Sequence, residues 1–484
     1  MSVWTVIGAV LWVLLYSGIA IQLLWSRKDP DLRAVWLLLF ALFPPIAPVI
    51  YLLVGINYRR QCVRERLHGR TVSYFQRSVT PRMKAAYFSD DALEHVPERY
   101  RPLARLLLSC GEGNKVYEGN SFEVITSGLR KRELLLEDIR RAKQYIHIEY
   151  FRFGNDKAGR EVRDLLYQKA AEGVQVRFLN NNLVGRQIPR SYFRDMPKHG
   201  VEMLPYTHIR YGLRTFLMRI NRQNHRKIVI IDGKVAYTGG MNLNDNYFYR
   251  WRDTHLRIEG PVIARLQVAF IANWFSCGGK LSHPLPFYMD IPESGGDGPL
   301  KNKTLQIVTD ACENPWPTTQ LGYEWILQNA RDYLYIQTPY FVPPPSFLQA
   351  LQGAALRGVD VRVMLPRRVD TPLVGPANRS YYKECMEAGV RIYERHGAFI
   401  HSKTLVCDDS LCIVGASNLD MRSFVLNNEV NTFIYDTETA QQCKEIFLMD
   451  QNESTQIHLE EWLRERRWYE SFFSRFMRLF YRML

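Results

Sequence analysis

Two segments carry the same reactive residues at the same spacing. The first is His225-Arg-Lys227-Ile-Val-Ile-Ile-Asp232, followed after six residues by Gly239-Gly-Met-Asn242. The second is His401-Ser-Lys403-Thr-Leu-Val-Cys-Asp408, followed after six residues by Gly415-Ala-Ser-Asn418. A lone histidine is usually a satisfied core residue, but two matched sets with the same downstream glycine and asparagine are not an accident of composition. On a strand, a histidine and a lysine two apart project from one face. Two such strands meeting across a pseudo-two-fold would place two imidazoles and two ammonium groups around one point. Asn242 and Asn418, each after a glycine turn, would add neutral donors. Such a pocket suits a phosphoryl group, with Lys227 and Lys403 supplying the charge a metal supplies elsewhere, so no metal and no cofactor are expected. One histidine would attack phosphorus and form a phosphohistidine ester, while the other protonates the departing alcohol. Asp232 and Asp408, past the far end of each strand, complete the motifs as structural partners rather than acids. Asp253 lies as far after His225 as Glu429 lies after His401, 28 residues. An acid at one offset in both halves predicts a carboxylate that holds an imidazole in its productive tautomer.

The elements that must position these residues repeat with a period near 180 residues, right for two fused domains. Ala142-Lys-Gln-Tyr-Ile-His-Ile-Glu-Tyr-Phe answers to Ala330-Arg-Asp-Tyr-Leu-Tyr-Ile-Gln-Thr-Pro-Tyr-Phe, Gly173-Val-Gln-Val-Arg to Gly358-Val-Asp-Val-Arg, and Gly200-Val to Gly389-Val. Each half alternates helical and short β-rich runs, so the fold class is α/β. Strands are predicted over Tyr145–Phe151, Val174–Leu179, Lys227–Ile231 and Thr254–Ile258. The Pro- and Gly-rich stretch from Leu281 to Lys303 reads as the connection between halves. The first half holds about 13 residues more before its histidine, a basic and apolar insert with Arg210, Tyr211, Arg214, Phe216, Leu217, Met218, Arg219 and Ile220. It suits either a rim loop meeting lipid headgroups or a lid packed on the protein.

The chain has 484 residues, 46% hydrophobic and 23% charged, which excludes disordered and low-complexity classes. A mean hydropathy of −0.24 excludes a polytopic transporter but allows one or two spans. Val3 to Trp25 and Ala34 to Gly55 contain no charged residue, and each is long enough to cross a bilayer core. Pro44, Pro45 and Pro48 predict a kink or a hairpin-like path in the second. Trp25, Trp36, Tyr51 and Tyr58 would serve as interfacial anchors. The arginines at 59, 60, 64, 66 and 70 are the heavier positive flank and place the large C-terminal part in the cytoplasm. Lysine and arginine outnumber acids 63 to 49, a net charge of +14 that favours an anionic partner. The eight cysteines are scattered and read as buried thiols. Near the C-terminus, Trp468, Phe472, Phe476, Leu479, Phe480 and Met483 share one helical face and Arg475, Arg478 and Arg482 another, as in a helix lying on an anionic interface.

The paired motifs resemble those of the phospholipase D superfamily over residues 116 to 450. Tyr51-Leu-Leu-Val-Gly55, Trp251-Arg-Asp-Thr-His255 and Asn418-Leu-Asp-Met-Arg-Ser-Phe424 are similar to the bacterial cardiolipin synthases within it. The resemblance implies two pseudo-symmetric phospholipase D-like lobes, each part of a central mixed sheet flanked by helices, that share one active site. It implies phosphatidyl transfer between two phosphatidylglycerol molecules with release of glycerol, His225 being the nucleophile and His401 the general acid. Gly240 and Ala416 stand where that superfamily often has serine, which would cost a hydroxyl donor. The expected organisation is an anchor over 1–55 with spans at 3–25 and 34–55, a linker over 56–115, lobes over 116–290 and 300–460, and a basic amphipathic helix over 461–484. A hydrolytic phospholipase D, and less readily a membrane-tethered nuclease, share the motifs. Nothing like a nucleic-acid module is present, so the expected partners are phosphatidylglycerol and an anionic membrane surface.

Overall fold

The computed structural model describes residues 3–25, 30–44, 46–51, 91–111, 113–181, 190–206, 223–296, 298–311 and 314–478. The chain separates into two units, Met1–Tyr58 and Arg59–Leu484.

In the first unit, Val3–Leu24 is a helix of 22 residues. Among the described residues it alone is long and apolar enough to span a membrane. The expected second span is not one helix. Pro30–Leu42 has 13 residues, roughly 20 Å at ~1.5 Å per residue and short of a ~30 Å core, and a short helix Ala47–Ile50 follows. Pro44 falls in the break, where a proline lacks the amide a continuing helix needs. The chain turns back there, so that the Tyr51 ring packs 5.0 Å from that of Trp36 and 5.6 Å from that of Phe40. Trp36 and Tyr51 are therefore buried against each other and are not interfacial anchors. Trp25 is exposed. Tyr58 and residues 52–55 lie outside the described residues.

The second unit is built on one 15-stranded sheet. The first lobe contributes β1 (Val116–Ile125), β2 (Tyr145–Tyr150), β3 (Gln175–Asn180), β4 (Val201–Pro205), β5 (Lys227–Ile231), β6 (Val235–Gly239) and β7 (His255–Glu259). The second contributes β8 (Leu300–Asp310), β9 (Tyr333–Gln337), β11 (Asp360–Pro366), β12 (Arg391–Arg395), β13 (Thr404–Cys407), β14 (Leu411–Gly415), β16 (Glu429–Ile434) and β17 (Ser454–Ile457). Two short strands between these, β10 (Phe341–Val342) and β15 (Leu419–Asp420), pair separately. The four strands expected from sequence are present to within about a residue at each end. The order β1-β7-β6-β5-β2-β3-β4 in one lobe mirrors β8-β16-β14-β13-β9-β11-β12 in the other, and β1 pairs antiparallel with β8 at the seam. Parallel and antiparallel pairs mix: β2, β3 and β4 run parallel, whereas β5, β6 and β7 alternate.

Helices cover both faces. Ile263–Ser276 and Thr437–Asn452 lie over one face, where Phe270, Trp274 and Phe447 join Ile230, Ile307 and Val406 in a core common to both lobes. Gly128–Arg141 and Lys157–Ala171 close the other face of the first lobe. Thr318–Asn329 and Pro345–Leu356 do so for the second. The latter core also takes in Val96, Tyr100, Leu103 and Leu107. Residues 91–110, expected to be part of a linker, are thus an integral layer of the second lobe. The six cysteines among the described residues are buried free thiols.

Candidate active site

The motif histidines do not sit on the strands themselves. His225 precedes β5 and His401 precedes β13, each in a short bridge to the opposite lobe. The His225 amide donates to the Asn428 carbonyl at 2.9 Å, and the His401 amide to the Arg252 carbonyl at 2.7 Å. These bridges are related by the pseudo-two-fold, since Arg252 and Asn428 follow their own histidines at one offset. Side chains fasten the same seam: Arg226 donates to the carbonyls of Glu429 and Asp310, and Arg252 pairs with Asp450 at 2.7 Å.

The bridges cross the carboxylates over. His225 Nδ1 lies 3.0 Å from the carboxylate of Glu429, and His401 Nδ1 lies 2.7 Å from Oδ2 of Asp253. Each histidine is oriented by the acid of the other lobe. Lys227 Nζ donates to its own motif's His225 carbonyl at 2.6 Å, and Lys403 Nζ lies 2.6 Å from His401 Nδ1. The i, i+2 geometry therefore holds although the histidine stands off the strand. Both lysines interact electrostatically with both carboxylates, which gathers the two halves into one site.

All of these groups are buried. Burial, then Lys227, Lys403 and Arg152, pushes the His225 imidazole well below its ordinary range. Burial and Lys403 bring His401 to about 3. Burial brings the Lys403 ammonium to about 8 and lowers that of Lys227 well below its ordinary range. The two acids diverge. Burial raises Glu429 to about 7, only partly offset by Lys227. At Asp253 the same burial effect is outweighed by Lys403 and His401, and the carboxyl is held below its usual value.

Asn242 and Asn418 follow their turns as expected and are buried. Asn242 Oδ1 accepts from the Arg152 amide at 3.1 Å, and its side-chain amide faces the Tyr247 hydroxyl. The Asn418 amide is held by Ser423 Oγ, and its Oδ1 has no donor among the described residues. A buried amide atom without a partner suits a ligand that completes it.

Asp232 and Asp408 stand apart from the histidines, roughly 20 Å along the strand at ~3.3 Å per residue. Each is the first central residue of a tight hairpin turn, at φ of 52° and 48°. Asp232 accepts from the amides of Lys143, Gln144 and Tyr145, and Asp408 from those of Arg331, Asp332 and Tyr333. Asp408 also pairs with Arg99. They tie the start of β2 and β9 to the motif hairpins, and neither reaches the reacting centre.

Gly240 has a reason the sequence did not disclose. A Cβ there would lie 2.0 Å from Asp253 Oδ1, so a serine could not occupy the position while Asp253 orients His401. Tyr247 was not foreseen either; its hydroxyl lies 3.4 Å from His401 Nε2. Phe151 and Trp251, whose rings pack 4.7 Å from His225 and 5.4 Å from His401, were also missed. The aromatic run Asn246-Tyr-Phe-Tyr-Arg-Trp251 was the available signal. The insert before His225 lies outside the described residues. Among those residues no group of three His, Cys, Asp or Glu side chains converges as metal ligands would.

The family model described as the cardiolipin synthase, phospholipase D-like domain matches residues 135–274 and 324–451, one stretch in each lobe. The chain belongs to the cardiolipin synthase family. It is 34% identical over 485 residues to the major cardiolipin synthase of Bacillus subtilis, covering 97% of each chain. It is also 34% identical over 447 residues to cardiolipin synthase 2 of Bacillus anthracis, covering 91% of this chain and 85% of that one. The phosphatidylserine synthase of Haemophilus influenzae shares the fold, with a TM-score of 0.59 at 16% identity over 79% of this chain and all of that one. As a member of the cardiolipin synthase family, the protein is a phosphatidyltransferase of the phospholipase D superfamily.

Proposed function

We propose that this enzyme moves a phosphatidyl group from one phosphatidylglycerol to a hydroxyl of a second, giving cardiolipin and glycerol. In the first step His225 Nε2 bonds to phosphorus as the bond to the glycerol oxygen breaks, and His401 gives that oxygen its proton. In the second, His401 takes the proton of the acceptor hydroxyl, the new P–O bond forms, and the N–P bond breaks. Lys227, Lys403, Asn242 and Asn418 neutralise and orient the phosphate oxygens. Burial and the neighbouring lysines lower both histidines, and a phosphodiester anion bound beside them raises their basicity. The observation that carries this reading is the pair of buried histidine–carboxylate contacts crossed between lobes, with two lysines between them.

Incubating the purified enzyme with phosphatidylglycerol alone tests it. Cardiolipin and glycerol in equal amounts are expected; phosphatidic acid as the sole product would make the enzyme a hydrolase. His225→Ala and His401→Ala should each abolish turnover, and either variant keeping a tenth of wild-type activity would refute the paired-histidine mechanism.

The N-terminal unit serves as the membrane anchor in this reading, with the lobes cytoplasmic on the side of the arginine-rich segment. Whether residues 34–55 cross or turn back within the bilayer, the proline break favours a hairpin-like path. The C-terminal helix Trp468–Arg478 supports an additional membrane contact. Ser474 and Met477 are buried on the protein and Arg478 pairs with Glu384 at 2.5 Å, while Trp468 is 79% and Phe472 66% exposed. One face is docked, and an aromatic face with Arg475 beside it is left for an anionic lipid surface.

A further inference from the structure

One charge at the mouth of the site has no role in the transfer scheme. Arg152 follows β2, and its backbone is fastened to the motif turn of the first lobe. Its amide donates to Asn242 Oδ1 at 3.1 Å, and its carbonyl accepts from the Leu243 amide at 3.3 Å. The residue is exposed. Its guanidinium carbon lies 5.7 Å from the centre of the Phe151 ring. Lys227 Nζ lies 5.4 Å from the centre of the same ring, and the His225 ring packs 4.7 Å from it. Phe151 thus stands between the buried ammonium and imidazole of the reacting centre and an exposed guanidinium. Among the described residues no carboxylate pairs with that guanidinium.

The second lobe places no cation at the equivalent point. The repeat sets Tyr340 opposite Arg152, and the match holds in space, since Phe153 bridges Leu243 in parallel just as Phe341 pairs with Leu419. The Tyr340 hydroxyl donates to Asp370 Oδ1 at 2.5 Å. One side of the mouth therefore offers an unpaired guanidinium, and the other a phenol already bound to a carboxylate. The two phosphatidylglycerols of the transfer reaction are unequal in the same way. The donor's phosphate is served by Lys227, Lys403, Asn242 and Asn418. The acceptor brings a hydroxyl to that centre, while its own phosphate stays one glycerol unit away and needs a different cation.

We propose, on the transfer reading above, that Arg152 is a specificity-determining residue: it holds the unreactive phosphate of the acceptor and so selects an alcohol that carries its own phosphodiester. Across the Phe151 ring from Lys227, it is the next cation outward from the reacting centre, where a phosphate one glycerol removed would lie. A guanidinium presents two parallel N–H donors to such a group. The arginine is also joined to the side on which the acceptor hydroxyl is activated. Its amide holds Asn242, the Asn242 side chain faces the Tyr247 hydroxyl, and that hydroxyl lies 3.4 Å from His401 Nε2. Water and neutral alcohols gain nothing from the contact, so it biases the adduct toward transfer over hydrolysis.

The test follows how one adduct divides between two acceptors. The full chain in neutral detergent is loaded from a phosphatidyl ester of p-nitrophenol, whose leaving group needs no proton. It is then offered two water-soluble diols together, the methyl phosphodiester of glycerol and the methyl ether of glycerol. Wild type should favour the phosphodiester. Arg152→Gln should lower the ratio of the two products about tenfold or more, as loss of one charge-assisted contact implies, and raise the share of phosphatidic acid. Arg152→Lys keeps the charge without the fork and should retain part of the preference. The product ratio reads acceptor choice whatever the rate of adduct formation. A wild type without preference, or a ratio within twofold of wild type in Arg152→Gln, would overturn the proposal. An unchanged ratio with slower turnover on phosphatidylglycerol vesicles would make Arg152 a membrane contact, and failure of Arg152→Gln to form adduct would put it on the donor phosphate; both overturn it. A wild-type enzyme that forms no adduct, or yields phosphatidic acid alone, would instead refute the transfer reading.

Discussion

His225 of the first lobe has its Nδ1 3.0 Å from the Glu429 carboxylate of the second. The acid that follows His225 by 28 residues, Asp253, orients His401 instead. Neither lobe holds a working histidine–carboxylate pair alone. The exchange follows from the backbone bridges at Asn224–Asn428 and Arg252–Ile400, which lay each histidine beside the other lobe's acid.

The crossing makes the acids separable by kinetics. Asp253→Asn should behave like a His401 variant: it forms the adduct from an ester with a good leaving group and then stalls. Glu429→Gln should slow formation of the adduct itself. Each change is expected to lower turnover by at least ~10²-fold, in keeping with loss of the carboxylate from a triad. Rapid-quench measurement of adduct and product checks it, and the opposite assignment would mean that the acids serve the histidines of their own lobes.

Gly240→Ala should be far more damaging than its size suggests. The added Cβ would fall 2.0 Å from Asp253 Oδ1 and displace the carboxylate from His401. A loss of turnover of at least tenfold and a stability cost of about 1–3 kcal/mol are expected from overpacking. Activity assays beside thermal melts of the detergent-solubilised enzyme would show both.

Asp232→Ala and Asp408→Ala should separate fold from chemistry. Each removes a carboxylate that caps three backbone amides in a left-handed turn position, so each should destabilise by about 1–3 kcal/mol. The fraction that remains folded should retain turnover within a few-fold of wild type. A melt and an active-site titration on one preparation decide this, and a well-folded variant without activity would contradict it.

The stability of the enzyme should fall between about pH 4.5 and 7 through Glu429. Its folded-state value near 7 exceeds the ordinary 4.5, so the folded protein holds the proton through that window while the unfolded chain has lost it. Stability from this group is therefore fully present below the lower value and lost as pH rises through the upper one. Glu429→Gln cannot ionise and should gain stability relative to wild type across this window. Melting temperatures of the two proteins compared at pH 4.5, 6 and 7.5 would reveal the divergence, and parallel curves would refute it.

The motif residues, the α/β repeat and the acids at matched offsets were legible in the sequence, because chemistry that needs particular side chains leaves them at fixed spacings. The four expected strands were legible through their alternation and length. Pro44 and Pro45 announced the break near residue 45, though not that Tyr51 would return to Trp36. Which acid serves which histidine was not legible, since the answer lies in two backbone bridges, Asn224–Asn428 and Arg252–Ile400, between segments far apart in the chain. Local spacing decided which residues could react; the packing of one lobe on the other decided which of them act together.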